Sequence, residues 1–486
     1  MTAGIAARAK AAPDATAIVA HPKRLTFGEL DARQRRLVGA LRKAKVKKRD
    51  RVAVLSANRP ESLEAMVGML RAGIVPVPIN PLLTEPEIDY LLEDSGARWL
   101  FTDRPIDPPQ LEHIVTFGDA YERLLEEARP ARLGDFTLGR PMHYTSGTTG
   151  SPKGVWVAPV DQKKALALSR RFRSVWAITE DDVHLVCSPL AHSAPLRYAT
   201  RTLEAGGMVV LQPRFDAEET LATIALFGVT STFVVPTHLE RILALGRTVL
   251  MRYDMSSLRL LAHAGAPIRE ETKREILELF PPEAVWEFYG STEGQATRVS
   301  AEHWLEKPGT VGLPLRGAEV EIRDEAGRVL PAGEVGDVWV RPLEGEHFEY
   351  WRDKRKTERA WDGDFFTVGD LGFIDTDGYL FLTGRKHDTI ITGGVNVYPQ
   401  EVEQVLCEHP AVREVLVYGA PHDEWGQQVE AAVVPIPELP LEPELLREWA
   451  RDRLAGFKLP RRIVIVDELT KTATGKLKRQ PPRGSG

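Results

Sequence analysis

Residues 51–79 have the sequence RVAVLSANRPESLEAMVGMLRAGIVPVPI, and this stretch decides the fold class. Residues 51–55 form a short apolar run of the kind found in buried strands. Residues 61–71 then carry apolar side chains at helical spacing, and a second short apolar run follows at 74–79. A strand, a helix and a second strand in this order predict a parallel sheet with a crossover helix.

The same alternation extends on both sides of that stretch. The segments 26–29 (TFGE) and 84–87 (TEPE) place a threonine three positions before a glutamate, which predicts a capping box at the start of a helix. Further strands and helices are predicted in turn at residues 208–211, 217–227, 232–235, 258–262 and 284–289. We therefore predict an α/β fold, with packed parallel-type sheets and covering helices in the N-terminal part of the chain.

The pattern changes towards the C-terminus. Two short strands joined by turn residues at 318–341 predict an antiparallel hairpin or a small barrel. After residue 384 the pattern predicts a compact α+β unit, with helices at 399–408 and 443–454 and strands at 412–418, 429–436 and 463–466. Because 486 residues are too many for one compact core, we predict a large N-terminal domain at 1–386 and a small C-terminal domain at 387–486.

Composition and charge exclude several classes of function. The formal net charge of -6 gives the chain no general affinity for nucleic-acid phosphates, so no nucleic-acid partner is predicted. No run of about eighteen apolar residues occurs, so no transmembrane segment is predicted. The N-terminus begins no secretory leader, and the two cysteines, Cys187 and Cys407, lie outside any metal-like spacing. These features are typical of a protein in the reducing cytoplasm.

Residues 144–154, YTSGTTGSPKG, hold the strongest functional signal. Three glycines and five serine or threonine residues among eleven positions disfavour both a helix and a packed strand. Such a loop offers backbone N–H groups and hydroxyls to an anion, and Lys153 adds a positive charge. A Ser/Gly/Thr-rich surface linker is the alternative, but a linker has no need of the Pro-Lys-Gly ending. The loop also differs from a Walker A loop, since a glycine follows the lysine.

Four further segments follow this loop along the chain. They are FYGSTEG at 288–294, TVGDLG at 367–372, GRKHDTIITGG at 384–394 and TATGKLKR at 472–479. Together with the loop at 144–154, they resemble the motifs of the adenylate-forming superfamily, which includes acyl-CoA synthetases, adenylation domains of peptide synthetases and beetle luciferases. The resemblance covers the chain from about residue 25 to residue 479.

This resemblance implies which residues bind ATP and Mg²⁺. It assigns the phosphates to the loop, the adenine to the ring of Tyr289, and the ribose to Asp370 and Arg385. The implied cofactor-binding residues are Thr145, Ser146, Gly147, Thr148, Thr149, Gly150, Lys153, Gly265, Ala266, Pro267, Tyr289, Gly290, Ser291, Asp370, Arg385, Gly393 and Gly394. Glu293 and Thr145 are the implied Mg²⁺ ligands, and a hard carboxylate oxygen suits that cation.

The resemblance also implies the reaction. An oxygen of the acid's carboxylate attacks the α-phosphorus of ATP, pyrophosphate leaves, and the acyl group then passes from AMP to a thiol. The implied catalytic residues are Lys476, Thr292, Glu293 and His192. Lys476 is expected to neutralise charge that grows in the transition state, and Thr292 to donate a hydrogen bond to phosphate or to the carboxylate. For His192, a structural histidine is as good an interpretation as a residue that guards the carboxylate.

The small C-terminal domain is implied to be mobile. It is expected to rotate about a hinge near residue 387, to deliver Lys476 for adenylation, and then to present the turn at 393–394 for entry of the thiol. Members of the superfamily usually have Asp or Lys at the hinge position, where this chain has His387. A histidine there gives the hypothesis of a pH-dependent domain motion.

Coenzyme A is the favoured thiol, because the stretch GGVNVYPQEVE at 393–403 is most similar to fatty-acyl and aryl-CoA ligases. The implied acyl pocket includes small apolar residues, namely Ala194, Ala262, Ala264, Ala266 and Ala296. They leave room for an alkyl chain or a ring, and we expect a fatty acid rather than an aromatic acid. Arg197 could pair with a second carboxylate or face solvent, so a dicarboxylic acid stays an alternative substrate.

Two other functions remain as alternatives. One is a stand-alone adenylation enzyme that loads the phosphopantetheine of a carrier protein. The other is a catalytically silent ATP-binding protein, against which the presence of both Glu293 and Lys476 argues. The sequence also leaves open whether the chain forms a homodimer.

Overall fold

The computed structural model describes residues 4–145, 152–342, 347–392, 395–422, 425–437, 439–470 and 479. The chain divides into two compact units. Unit 1 comprises Met1–Glu319 and Pro342–Asp364, and unit 2 comprises Val320–Arg341 and Phe365–Gly486. The domain boundary predicted between residues 386 and 387 stays a prediction.

Helices and strands are numbered along the chain. Between residues 5 and 126 they are α1 (Ile5–Ala11), β1 (Thr16–Ala20), β2 (Lys23–Thr26), α2 (Phe27–Lys43), β3 (Arg51–Leu55), α3 (Pro60–Arg71), β4 (Val75–Ile79), α4 (Glu85–Ser95), β5 (Trp99–Thr102), β6 (His113–Thr116) and α5 (Asp119–Glu126). Between residues 143 and 314 they are β7 (His143–Thr145), β8 (Lys153–Trp156), α6 (Gln162–Trp176), β9 (Val183–Val186), α7 (Ser193–Ala205), β10 (Met208–Leu211), α8 (Ala217–Phe227), β11 (Ser231–Val234), α9 (Pro236–Leu243), α10 (Arg247–Leu250), β12 (Leu260–His263), α11 (Glu270–Leu279), β13 (Val285–Gly290), β14 (Gln295–Ser300), α12 (Ala301–Glu306) and β15 (Thr310–Pro314).

From residue 319 onwards they are β16 (Glu319–Arg323), β17 (Gly336–Arg341), β18 (Glu349–Tyr350), α13 (Lys354–Ala360), β19 (Trp361–Asp362), β20 (Phe365–Phe366), β21 (Asp370–Ile374), β22 (Leu380–Arg385), β23 (Ile390–Thr392), β24 (Val395–Val397), α14 (Pro399–Cys407), β25 (Val412–His422), β26 (Gly426–Pro435), α15 (Pro443–Arg451) and β27 (Arg462–Ile465). Short 3₁₀ turns lie at Pro282–Ala284 and Lys386–Asp388.

The strand–helix–strand predicted at 51–79 is confirmed as β3, α3 and β4. Strands β3 and β4 are parallel, and the sheet has the order β4-β3-β5-β6. Every residue of α3 is buried, including Glu64. This carboxylate is paired with Arg33 at 2.6 Å and accepts a hydrogen bond from the hydroxyl of Tyr121 at 2.6 Å. Pairing of this kind offsets the cost of removing the charge from water.

The capping box predicted at residues 26–29 is confirmed at the start of α2. The Thr26 hydroxyl accepts a hydrogen bond from the backbone N–H of Glu29 at 3.2 Å, and the Glu29 carboxylate accepts one from the N–H of Thr26 at 2.8 Å. The two bonds satisfy donors that the first turn of a helix cannot satisfy itself.

A larger sheet forms the centre of unit 1. Its strands have the order β15-β14-β13-β12-β11-β9-β10-β1-β2. Strands β1, β10, β9, β11, β12 and β13 are parallel, and β2, β14 and β15 are antiparallel to their neighbours. The carboxyl ends of β11, β12 and β13 therefore meet at one edge, where ligands usually bind in sheets of this type.

A small antiparallel sheet in unit 1 has the strand order β18-β8-β7. Strands β7 and β8 flank the glycine- and threonine-rich segment, and β18 pairs with β8 along its other side. This sheet therefore holds the residues on either side of the segment, Thr145 in β7 and Lys153 in β8.

Unit 2 contains two sheets. The antiparallel strands β20-β17-β21-β22 form one of them, and β16 also pairs with β17. The antiparallel pair predicted at 318–341 thus corresponds to β16 and β17. The other sheet has the order β24-β23-β26-β25, and β27 runs parallel to β26. The helices and strands predicted after residue 384 are confirmed, with bounds that differ by a few residues.

Among the described residues, no helix combines the length and the apolar character that a membrane span requires.

Candidate functional site

The ends of β7 and β8 bring the two flanks of the predicted phosphate loop together. Thr145 lies opposite Lys153 in the antiparallel register, and the Thr145 hydroxyl donates to the Lys153 carbonyl at 3.5 Å. The hydroxyl of Tyr144 donates to the Asp94 carboxylate at 2.7 Å, which ties β7 to α4. Of the residues predicted to bind phosphate, Ser146, Gly147, Thr148, Thr149 and Gly150 lie outside the described residues.

Glu293 lies in the tight turn between β13 and β14. The N–H of Ser291 donates to the Gly294 carbonyl at 2.8 Å, and a side chain at Gly290 would meet that carbonyl oxygen at 2.8 Å, so glycine is required there. The Arg140 guanidinium donates to the carbonyls of Thr292 and Glu293, the latter at 3.2 Å. These bonds fix the backbone that presents the Glu293 side chain.

The carboxylate of Glu293 is held by a residue from β18. The hydroxyl of Tyr350 donates to Oε1 of Glu293 at 2.8 Å, and only 4% of Glu293 is exposed. Tyr350 in turn pairs with Val155 of β8, next to the phosphate loop. The hydrogen bond therefore joins the acid in the turn to the sheet that carries the loop.

Two lysines and an aspartate complete this region. Nζ of Lys153 lies 3.9 Å from the Asp353 carboxylate. The ammonium of Lys356 lies 4.2 Å from the centre of the Tyr350 ring. Burial lowers the pKa of Lys356, while the nearby charges of Glu293 and Asp353 act in the opposite direction.

The predicted catalytic histidine lies at the start of α7. His192 is the N-cap residue of this helix and has an extended backbone. The preceding residue, Ala191, has its carbonyl 3.0 Å from Nδ1 of His143, a buried ring. Burial lowers the pKa of His143 to about 3, so this ring is neutral at pH 7.

The other predicted residues of unit 1 follow the parallel strands β12 and β13. Gly265, Ala266 and Pro267 begin two positions after the end of β12 and are exposed, and Gly265 has a φ of +96°, which favours glycine. Tyr289 and Gly290 are the last two residues of β13. The structure thus brings these segments to the same edge of the sheet.

Aromatic rings fill the space behind this edge. The cluster consists of Phe172, Trp176, Tyr198, Phe233 and Phe288, packed with Ala262 and Ala264. Tyr198 is fully buried at its centre, with ring centroids 5.2 Å from Phe172 and 6.0 Å from Phe233. Within the described part of the chain its hydroxyl has no hydrogen-bond partner, and burial raises its pKa.

Unit 2 brings together two of the predicted nucleotide-binding residues. Asp370 begins β21 and Arg385 ends β22, and the two residues are paired in the antiparallel register. Nε of Arg385 lies 3.0 Å from the Asp370 carboxylate, and Asp370 is a buried residue with 7% of its surface exposed. Next to them, Lys386 pairs with Asp337 at 2.8 Å.

The predicted hinge residue His387 lies in the 3₁₀ turn Lys386–Asp388. Its Nε2 is 3.3 Å from the Asp388 carboxylate, which also pairs with Arg479 at 3.1 Å. Burial lowers the pKa of His387, and Asp388 opposes that effect. The predicted residues Gly393, Gly394 and Lys476 lie outside the described residues.

A magnesium ion that bridges to ATP fits the residues of unit 1. Among the described residues, no group of three or more His, Cys, Asp or Glu side chains is arranged to hold a metal. Mg²⁺ would need no such group if water molecules and phosphate oxygens supplied most of its ligands, because one or two protein carboxylates then suffice. Glu293 offers a fixed carboxylate of this kind.

The sequence matches two models of one enzyme family. Residues 5–343 match the model of the AMP-binding enzymes, and residues 401–476 match that of the C-terminal domain of AMP-binding enzymes. This chain belongs to the AMP-binding enzyme family. The predicted membership of the adenylate-forming superfamily is confirmed.

Relatives of this AMP-binding enzyme match it along almost its whole length. A fatty acid–[acyl-carrier-protein] ligase of Streptomyces coeruleorubidus is 33% identical over 495 residues, covering 97% of this chain and 93% of the ligase. A feruloyl-CoA synthase of an Amycolatopsis species is 34% identical over 493 residues, covering 97% and 96%.

Solved structures confirm the fold class of this AMP-binding enzyme, with its large N-terminal and small C-terminal domains. The o-succinylbenzoate-CoA synthetase of Bacillus subtilis, in complex with its acyl-adenylate intermediate, has a TM-score of 0.87 at 30% identity, covering 99% of this chain and 98% of that chain. The same synthetase in complex with ATP and a magnesium ion has a TM-score of 0.85 at 30% identity, covering 98% of each chain.

Four residues near Glu293 escaped the sequence-based prediction for this AMP-binding enzyme: Arg140, Tyr350, Asp353 and Lys356. Asp353 carries a recognisable local signal, because it is the N-cap of α13. Tyr350 carries none, since its partner Glu293 is 57 positions away and is reached only through the pairing of β18 with β8.

Proposed function

We propose that this chain is an AMP-forming acid–thiol ligase, which uses ATP and Mg²⁺ to activate a carboxylic acid and then transfers the acyl group to coenzyme A. The observation that carries the proposal is the hydrogen bond from Tyr350 to Glu293 at 2.8 Å. It fixes a buried carboxylate beside the two strands that flank the phosphate loop. The place of this carboxylate, in the turn after β13 and joined to the sheet that carries the loop, supports catalysis over a silent ATP-binding protein.

In the first half-reaction, an oxygen of the acid attacks the α-phosphorus, and the bond from that phosphorus to the oxygen bridging to the β-phosphate breaks. The protein mainly positions the reactants and stabilises charge. We assign Thr145, Lys153 and the backbone around 146–150 to the phosphates, and Thr145 and Glu293 to Mg²⁺. Bound Mg²⁺ neutralises and orients phosphate oxygens.

The remaining roles concern the ribose, the adenine, the acid and the charge of the transition state. Asp370 accepts hydrogen bonds from the ribose hydroxyls, and Arg385 orients its carboxylate through the contact at 3.0 Å. Tyr289 lies against the adenine, while Thr292 and His192 bind at the carboxylate end of the acid. Lys476 neutralises the charge that develops during adenylation.

Transfer to the thiol is the second half-reaction. The thiolate sulfur attacks the acyl carbon, the bond between that carbon and the AMP oxygen breaks, and AMP leaves. The turn at 393–394 is proposed to admit the thiol after Lys476 has withdrawn, and glycines there would let a narrow pantetheine arm pass. Loading of a carrier protein's phosphopantetheine is the alternative for this step.

The class of acid has two candidates. A fatty acid is favoured by the small apolar residues in the sequence of the predicted pocket. An aromatic acid is favoured by the ring cluster. Ala262 and Ala264 belong to the predicted pocket segments, and Phe288 adjoins one of them. All three residues lie in one hydrophobic cluster with the fully buried ring of Tyr198. Flat rings behind these segments suit a planar acid, and the filled space around Tyr198 would stop a long alkyl chain.

An assay of acid-dependent pyrophosphate release, with hydroxylamine to trap the acyl-AMP, tests the proposed activity. We expect release with wild type and its loss in Glu293→Gln. A panel of short, medium and long-chain fatty acids and of aromatic acids then gives kcat/KM for each. The absence of acid-dependent release across the panel would reject the ligase and leave the silent ATP-binding protein.

The acceptor is tested in the same assay. We expect thioester to form when coenzyme A is added, and none with a holo carrier protein in its place. The reverse result would identify a carrier-loading enzyme. We also propose a cytoplasmic location and a homodimer, which cell fractionation and light scattering respectively test.

A further inference from the structure

Lys356 is a charged side chain to which the proposed reaction gives no role. It lies in the first turn of α13, where its backbone N–H donates to the Asp353 carboxylate at 3.0 Å. Its ammonium lies 4.2 Å from the centre of the Tyr350 ring. The hydroxyl of the same tyrosine donates a hydrogen bond to Glu293. Lys356 and Glu293 therefore both contact Tyr350, one at the face of its ring and the other at its hydroxyl.

The charges around Lys356 are those of the phosphate end of the site. Glu293 and Asp353 favour its charged form, and Lys153 opposes it. Lys153 itself lies 3.9 Å from Asp353. The Lys153 ammonium thus lies beside Asp353, and Glu293 is the carboxylate that most favours the charged form of Lys356, next to strand β8, into which the phosphate loop leads. If Glu293 binds Mg²⁺, this arrangement leaves a surplus of positive charge that suits a polyanion.

The position of Lys356 differs from that of an ordinary surface lysine, because its side chain is half-buried against the Tyr350 ring. Burial is the main reason that its pKa lies below the usual value. Lys354, two positions earlier on the same helix, has 88% of its side chain exposed and pairs with Glu358 at 3.6 Å. An ordinary surface lysine resembles Lys354, because ammonium groups prefer water.

We propose that Lys356 is a second cation of the triphosphate site, which acts with Lys153 to neutralise the β- and γ-phosphates of ATP and the pyrophosphate that leaves. The inference rests on the proposed ligase function. When the bond from the α-phosphorus to the bridging oxygen breaks, the electron pair goes to pyrophosphate, and a cation at that end stabilises the leaving group. AMP has no β-phosphate, so Lys356 should not contribute to its binding.

Three variants and three ligands, namely pyrophosphate, ATP and AMP, test the inference. The inhibition constant of inorganic pyrophosphate and the KM of ATP are measured in the adenylation assay, and the dissociation constant of AMP by calorimetry. In Lys356→Met we expect pyrophosphate to inhibit about tenfold more weakly and the KM of ATP to rise, with AMP binding unchanged. Lys356→Arg keeps the charge and should retain most of the pyrophosphate affinity. Lys354→Met, the matched control, should behave as wild type.

Two results would overturn the inference. One is equal inhibition of wild type and Lys356→Met by pyrophosphate. The other is an equal loss of AMP and pyrophosphate binding in Lys356→Met, which would show a general effect on the fold. Lys356→Gln serves as a second neutral variant if the methionine variant does not fold. If wild type itself released no pyrophosphate with any acid, the proposed function would fail, and the inference with it.

Discussion

Replacing Tyr350 by phenylalanine removes one oxygen atom and with it the hydrogen bond to Glu293 at 2.8 Å. The ring stays, and so does the contact of Lys356 with the ring face. Because only 4% of Glu293 is exposed, water cannot readily replace the lost donor. We therefore expect the carboxylate to lose its fixed orientation beside the phosphate loop.

The size of the effect follows from the kind of bond. A hydrogen bond to a charged group contributes about 1.5–3 kcal/mol, and about 1.4 kcal/mol corresponds to a factor of ten. If the orientation of Glu293 matters chiefly in the transition state, kcat/KM for adenylation should fall about 10- to 150-fold in Tyr350→Phe. The concentration of Mg²⁺ that gives half-maximal rate should rise as well.

The assay is pyrophosphate release at several Mg²⁺ concentrations, in a cycle of Tyr350→Phe, Glu293→Gln and the double variant. Removing the hydroxyl should cost much less when Glu293 is already glutamine, because the two residues act through one bond. Strictly additive losses would refute the reasoning. Tyr253→Phe is the matched control, since its hydroxyl donates to Glu218 at 2.9 Å on the exposed surface, and its rate should stay within about twofold of wild type.

Four other predictions address the remaining parts of the chain. Lys476→Ala should lower adenylation by about a hundredfold or more, while thioester formation from supplied acyl-AMP stays largely intact, measured as two separate half-reactions. His387→Asp should change how the ratio of the two half-reactions varies between about pH 5.5 and 8.5. Tyr198→Ala should raise kcat/KM for longer acids relative to shorter ones, at a cost of about 3–5 kcal/mol in stability. His184 is fully buried with its pKa lowered to about 4, so stability should fall as the pH drops from about 6.5 towards 4, and His184→Asn should make that fall shallower, measured as Tm against pH.

Each of these predictions has a result that would contradict it. Equal losses in both half-reactions of Lys476→Ala would argue against a lysine that acts in adenylation alone. Superimposable pH profiles would remove the role of His387, and an unchanged order of acids in Tyr198→Ala would separate the ring cluster from acid binding. The sign for His184 follows from a folded state that binds fewer protons than the unfolded state below about pH 6.5, so a Tm rising towards acid pH would contradict it.

The fold could be predicted where the pattern is local. Strand β3, helix α3 and strand β4 follow from apolar runs and helical spacing within residues 51–79, because each element is specified by its own side chains. The pairing of β16 with β17 was also within reach, since turn residues lie between them. That residues 320–341 form one compact unit with residues 365–486 could not be predicted, because this grouping depends on contacts between segments far apart in sequence.

In the candidate site, too, residues in local motifs could be predicted, and residues that depend on distant contacts could not. Glu293, Asp370 and Arg385 could be found because each lies in a short motif with its own composition. Lys356 and Tyr350 could not, because nothing in residues 350–356 points to a carboxylate in a turn 57 positions before Tyr350. The helix cap at Asp353 predicts where α13 begins, but not that a lysine within it lies over an aromatic ring.

The opposition of Thr145 and Lys153 in the β7–β8 register has a consequence for laboratory redesign of this enzyme. Seven residues separate the two, and side chains in strands alternate between faces. An insertion or deletion of a single residue that slipped the pairing by one place would turn Lys153 to the opposite face of the small sheet. Libraries that vary the composition of residues 146–152 while keeping their number should therefore yield many more active clones than libraries that vary their length.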